Sequence, residues 1–451
     1  MADCMADERL TLGDLTAFFA AGCKPASQFS IGAEHEKLVF QHGSNAAVPY
    51  DGDRGIKALL TGLVGFGWAP VEEGGKLIAL VRNGASVTLE PAGQFELSGA
   101  ALADVHAIAA ETDNHLEEAK AVAAKLGIGF SAIGFTPTWS RDDVHVMPKG
   151  RYGIMRAYMP KKGKLGLDMM LRTCTVQSNL DFSSEADMVS KFRVSLALQP
   201  ITTALFANSP FVEGKPTGFL SSRANVWTDT DPDRTGMLDF VFEDGFGFER
   251  YAAYALDVPM YFVKRGGQYV DVAGRSFRDF LKGQLPELPG ECATMKDWAD
   301  HITTIFPEVR LKQYLEMRGA DTGPAGRIAG LQALWAGIFY DGAALSAAWD
   351  LAKGWSTEQH NALRRTAFTE GLKGQVAGRT LQDVAKDMVA IAAAGLKRRA
   401  IRNGAGDDER IYLRELEEIA DSGVTPAERL LDLYNGPWAG DASKAYQACA
   451  Y

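Results

Sequence analysis

The chain has 451 residues, of which 46% are hydrophobic and 23% charged, the make-up of a globular protein long enough for a large core and two or three domains. A formal net charge of -10 excludes a chain built mainly to hold nucleic acid, but local charge still leaves small charged substrates open. No run reaches the ~18 apolar residues of a membrane crossing. Cys4, Cys23, Cys174, Cys292 and Cys449 are too scattered for a disulfide framework or a C-x-x-C metal site.

The opening "MADCMADERL" has neither the basic-then-apolar order of a signal peptide nor an Arg-rich transit character, so a cytoplasmic protein is expected. Residues 8–23 predict a short helix, "SIGAEHEKLVF" a strand, "PYDGDRG" a loop and "IKALLTGLVG" a helix. From Lys76 to Ser98 the alternation predicts strands, broken at Gly84 and at Pro91 with Gly93. Residues 101–126 have helical spacing that stops at Gly127, and "GIGFSAIGF" reads as a buried strand. Next, Lys149, Arg151, Arg156, Lys161, Lys162, Lys164 and Arg172 meet a single acid, Asp168. In an acidic chain that cluster suggests an anionic ligand, with a solvated loop as the alternative. Beyond Pro324 the texture is Ala-rich and helical, with capping boxes in "STEQ" (356–359) and "TPAE" (425–428). "TLQDVAKDMVAIAAAGLKRR" is amphipathic and ends in the basic residues that suit a helix C-terminus. Strands early and helices late make an α+β pattern.

The chemistry lies on four stretches. In "IGAEHEKLVF" Glu34 and Glu36 share a strand face with Leu38 and Phe40, while His35 and Lys37 point the other way. Two carboxylates in so apolar a run need a compensating partner, because removing charge from water is costly. In "VTLEPAGQFELSGA" Gln94, Glu96 and Ser98 share a face, and the Pro-Ala-Gly bend can swing Glu90 out of register. In "MLRTCTVQSNLDF" Thr173, Thr175, Gln177, Asn179 and Asp181 form a polar row, and "QYLEMRGAD" aligns Tyr314, Glu316 and Arg318. Oxygen donors on several strands suit Mg²⁺, a hard ion that takes few protein ligands plus substrate phosphates. Walker-type phosphate loops, dinucleotide turns, H-E-x-x-H and G-x-S-x-G are all missing from the sequence.

Those stretches, with "MPKGRYGIMRAYMP", "ALQPITTALFANSPFVEGKPTGFLSSR", "WTDTDPDRTGML", "YALDVPMYF" and "TTIFPEVRLKQYLEMRGAD", resemble the plant-type glutamate–cysteine ligases, also found in proteobacteria, from about residue 28 to the C-terminus. The resemblance implies a glutamine-synthetase-like α+β fold: a curved, mainly antiparallel sheet forming a funnel, with helices outside. The expected organisation is a helical segment at 1–27, outside the resemblance, and one catalytic domain at 28–451, mainly helical over 325–451. The resemblance further implies ATP-dependent ligation of glutamate through a γ-glutamyl phosphate to cysteine, the first step of glutathione synthesis. The alternative is a related carboxylate–amine ligase with another acceptor, or the same reaction serving another thiol pathway.

Carried over by motif, Glu34, Glu36, Glu90, Glu96, Gln177 and Glu316 would ligate metal, more than one Mg²⁺ being expected. Arg318 would meet the γ-phosphate, Arg151 would contact a phosphate or a substrate carboxylate, and Arg223, Trp227, Thr175 and Tyr261 would bind the amino-acid substrates. Arg223 has a structural alternative in pairing with Asp229 or Asp231, and Trp227 and Tyr261 have one as core aromatics. The implied partners are glutamate, cysteine and ATP, without nucleic acid or membrane, on a monomer or weak homodimer. Where plant members carry regulatory cysteine pairs, this chain has Ala109 with Ala329 and Val272 with Glu287, so those bridges cannot form.

Overall fold

The computed structural model describes residues 9–451. Nine strands make one sheet: β1 (Ile31–Gln41), β2 (Ala69–Glu73), β3 (Lys76–Arg82), β4 (Ala85–Leu89), β5 (Phe95–Ser98), β6 (Ile128–Ser131), β7 (Thr175–Leu180), β8 (Val309–Leu311) and β9 (Leu315–Asp321). Their order is β8-β9-β7-β1-β5-β4-β3-β2, with β6 also on β1, and every pairing within this sheet is antiparallel. The expected α+β class and mainly antiparallel sheet are therefore present; the sheet stays open rather than closing into a barrel.

The long β1 organises the sheet. Its first half, Ile31 to His35, pairs with β7, Glu34 to Lys37 pair with β5, and Leu38 to Gln41 pair with β6. Glu34 and Glu36 thus stand where neighbours converge from both sides. Alternation sends His35, Lys37, Phe95 and Leu97 to the opposite face, covered by the helix Val105–Leu126, whose His115 ring stacks on Phe95. That helix starts at an Asp104 cap and stops at Gly127, whose φ of 62° is the left-handed end that glycine tolerates.

The C-terminal helices Ala325–Phe339 and Leu381–Arg399 pack backbone to backbone. A Cβ on Gly395 would stand 1.8 Å from the Gly337 carbonyl oxygen, so only glycine permits that approach. Both expected capping boxes are formed, at Ser356 with Gln359 and at Thr425 with Glu428. Among the described residues no single helix is long and apolar enough to cross a membrane.

Three segments depart from the expected pattern. Strand β2 was not anticipated in "APVEE", where Pro70 and the adjacent Glu72 and Glu73 blur the alternation, though they suit a sheet edge. Residues Gly166–Arg172 are helical, tied by the Asp168–Arg172 pair at 2.5 Å, so the strand expected from 170 begins only at Thr175. The helix Glu185–Phe206 lies in the region read as strand-rich; it is buried on nearly all sides and so has no amphipathic period to betray it.

Buried histidines give the fold a pH signature. Burial holds His301 down to about 4 and His115 well below its ordinary value. Both are neutral in the folded chain, whereas the unfolded chain protonates them near pH 6.5. As pH falls below 6.5 the unfolded state therefore binds more protons, and stability drops by up to about 1.4 kcal/mol per pH unit for each ring until the folded value is reached. Urea unfolding midpoints measured from pH 7 to pH 4.5 should fall continuously, and His115→Leu should flatten the slope.

Candidate active site

The polar face of the sheet opens into a cavity of about 490 Å³. Its floor is β1, β5 and β7; one wall comes from the helix Gly150–Tyr158, another from the short helix Ser222–Val226, and a third from the β8–β9 hairpin. Ten of the twelve residues expected from sequence line it: Glu34, Glu36, Glu90, Glu96, Arg151, Thr175, Gln177, Arg223, Trp227 and Arg318.

The acids divide into two environments. Glu36 sits directly opposite Glu96 across β1 and β5, and Glu36 accepts the Thr175 N–H at 3.0 Å. Burial first, then Glu90 and Glu96, push the Glu36 acid well above the usual carboxylate range, with Arg223 opposing. Glu96 is pushed up by burial and by Glu90, while the Thr88 hydroxyl that donates to it pulls the other way. Glu90 is swung in by the Pro91–Gly93 bend, where Gly93 has φ 82° and Gln94 pins the loop through the carbonyls of Met170 and Thr173 at 3.2 and 3.0 Å. Glu34 is held by Asn179 at 2.9 Å and Gln177 at 3.3 Å, and burial with the nearby Glu316 pushes it up.

Glu316 is the opposite case. It is fully buried and does not line the cavity; its carboxylate pairs with Arg310 at 2.7 Å, with Lys312 at 2.8 Å and with Arg318. Burial acts to raise it, yet Arg310, Lys312 and Arg318 outweigh that and hold it well below the usual range. The expected metal-ligand place for Glu316 is thus taken by three cations. Gln177 is similarly engaged, since its Oε1 accepts from Arg318 at 2.6 Å. Three cations around one acid leave this corner of the cavity positive, and Arg310, Lys312 and Arg318 all line it.

On the adjoining wall Arg223 does not pair with Asp229 or Asp231; its Nη2 donates to the Arg318 carbonyl at 2.7 Å and its Nε is buried without a partner among the described residues. The Trp227 indole N–H is likewise unpartnered and its ring lies 6.0 Å from Phe306. Such buried, unsatisfied donors suit an acidic ligand. Arg151, at the first turn of its helix, also has an unpartnered Nε. The Thr175 hydroxyl donates to the Ala320 carbonyl at 2.9 Å.

Tyr261 is not brought to the cavity. It is fully buried, 3.8 Å beneath the Arg234 guanidinium and edge-on to Tyr158, its hydroxyl directed to Asp231. Its packing is that of a core aromatic, the alternative that sequence left open. Conversely Lys149, Arg310 and Lys312 line the cavity and were not among the expected residues. Their signals were the basic run around "MPKGRY" and the i, i+2 cations of "VRLK" just ahead of the "LEMR" strand.

Among the described residues no three His, Cys, Asp or Glu side chains stand close enough to cage a cation by themselves. The mutual repulsion of Glu36, Glu90 and Glu96 nevertheless fits a divalent ion whose remaining positions go to phosphate and water, the habit of Mg²⁺.

The sequence profile of glutamate-cysteine ligase family 2 matches residues 30–448. A chloroplastic glutamate–cysteine ligase of Arabidopsis thaliana is 53% identical over 448 residues, covering 99% of this chain and 84% of the relative. The Nicotiana tabacum protein of the same name gives the same identity and coverage, and glutamate–cysteine ligase B, chloroplastic, of Oryza sativa subsp. japonica is 52% identical over 98% of this chain and 88% of its own. In fold, a glutamate–cysteine ligase from Francisella tularensis in complex with AMP aligns with a TM-score of 0.55 at 12% identity, covering 93% of this chain and 88% of that one. A bifunctional glutathione synthetase from Pasteurella multocida aligns with a TM-score of 0.52 at 12% identity over 97% of this chain and 53% of that one. The expectation of a cytoplasmic protein is corrected by these relatives, since all three similar sequences are named chloroplastic. With residues 30–448 matched by the family profile and 99% of the chain aligned to a relative at 53% identity, the chain belongs to glutamate-cysteine ligase family 2.

Proposed function

We propose that this chain joins glutamate to cysteine at the expense of ATP, giving γ-glutamylcysteine, ADP and phosphate, the first step of glutathione synthesis. Membership of the family supports the reaction, and one structural observation supports its placement: the Glu36–Glu96 pair and the cationic corner of Arg310, Lys312 and Arg318 face the same cavity. The glutamate side-chain carboxylate takes the γ-phosphoryl group of ATP, and ADP leaves. The cysteine amine then attacks the acyl carbon, forming the C–N bond, while the C–O bond to phosphate breaks and the amine gives up a proton.

In this reading Arg318, fixed by Glu316 and Gln177, offers positive charge to the phosphoryl group in transit, as do Lys312 and Arg310. Arg151 contributes a further phosphate contact from the opposite wall. Arg223 and Trp227 clamp the substrate glutamate with donors otherwise left unsatisfied. Thr175 orients Glu36 through its backbone N–H and shapes the acceptor side. Glu36, Glu90 and Glu96, with Glu34 beside them, hold one or more Mg²⁺ ions, whose chemistry is to neutralise phosphate charge and orient the triphosphate. Glu316 and Gln177 organise the cations rather than the metal.

The test is ADP release from purified protein with ATP, Mg²⁺, glutamate and a panel of amines. Cysteine should outperform 2-aminobutyrate and alanine; equal turnover with all three would assign the chain to another acceptor.

A further inference from the structure

The C-terminal helices supply none of the residues assigned above, yet Arg364 of the helix Thr357–Thr369 reaches the back of the cavity wall. Its Nε donates to the Glu308 carboxylate at 2.6 Å, and its Nη2 donates to the Trp227 carbonyl at 3.1 Å. Glu308 in turn accepts the Arg318 N–H on its own carbonyl at 3.1 Å. Arg318 then closes the circuit by accepting Arg223 on its carbonyl at 2.7 Å. The two partners, Arg364 and Glu308, are 19% and 14% exposed and meet the reverse side of Arg223, Trp227 and Arg318 across a small void.

We infer that Arg364, joined to Glu308, is a positioning residue that fixes the Arg223–Trp227–Arg318 wall in the geometry that receives the amino-acid substrate. It touches no reacting group; it acts by tying the Trp227 carbonyl to the Glu308 carboxylate, and the backbone carbonyl of that same Glu308 accepts the Arg318 N–H. One planar guanidinium spans both anchors, whereas a lysine ammonium reaches one at a time. The helix 357–369 thereby becomes part of the substrate site, although the only motif in its sequence is the capping box at its start. This inference rests on the reading of Arg223 and Trp227 as the glutamate clamp.

The experiment compares steady-state kinetics and thermal unfolding of the full-length protein with those of Arg364→Lys, Glu308→Gln, the double variant and Arg223→Lys. Arg364→Lys and Glu308→Gln should each raise the KM for glutamate about tenfold, leaving the KM for ATP and cysteine within twofold and the melting temperature essentially unmoved. The double variant should be no worse than either single one, because both remove the same link. If Arg223→Lys raises the glutamate KM while Arg364→Lys and Glu308→Gln leave it unchanged, the positioning role is overturned and the clamp stands. If all three KM values and the melting temperature shift together, Arg364 is a stability residue only. If Arg223→Lys also leaves the glutamate KM unchanged, the clamp and this inference fall together.

Discussion

Glu36→Gln is expected to lower kcat/KM by about 1,000-fold or more while leaving the protein as stable as before, or more so. The two halves of that result have separate causes. Activity falls because the carboxylate opposite Glu96 supplies a charge that an amide cannot. Stability is spared because this carboxylate is already unfavourable where it stands: burial, Glu90 and Glu96 all work against its charged form. Gln keeps the shape and the bond from the Thr175 N–H. Kinetics and urea unfolding on the same preparation check both halves.

Glu316→Gln is expected to fail in the opposite way. That carboxylate is fully buried and holds Arg310, Lys312 and Arg318 together, so removing its charge leaves three cations facing one another. Breaking a buried pair by deleting one partner costs about 3–5 kcal/mol, and here one acid serves three partners. The expected reading is a large drop in the urea midpoint, with activity lost as a consequence of the displaced Arg318. Two glutamates on one sheet thus give opposite stability effects on the same substitution, which distinguishes a charge kept ready for a ligand from one that binds the fold together.

Much of this arrangement was legible in the chain. The period of two in "IGAEHEKLVF" put Glu34 and Glu36 on one face, and β1 places both at the centre of the sheet. The capping boxes at Ser356 and Thr425 were legible because a cap is a local event. Glu316 was placed on the correct face, but alternation does not reveal saturation by Arg310 and Lys312, which depends on the tightness of the β8–β9 hairpin. Tyr261 and Trp227 carry the same aromatic signal, and only packing separates the one under Arg234 from the one at the cavity. The helix Glu185–Phe206 was hidden by its burial on nearly all sides, and Arg364 by its 137-residue separation from Trp227.

The most direct measurement is Mn²⁺ binding, followed by electron paramagnetic resonance with a non-hydrolysable ATP analogue present, on the unaltered protein and on Glu36→Gln and Glu96→Gln. If carboxylates from neighbouring strands hold a divalent cation against the triphosphate, the unaltered chain binds Mn²⁺ and each variant binds it at least about tenfold more weakly. Equal affinity in all three proteins would contradict it.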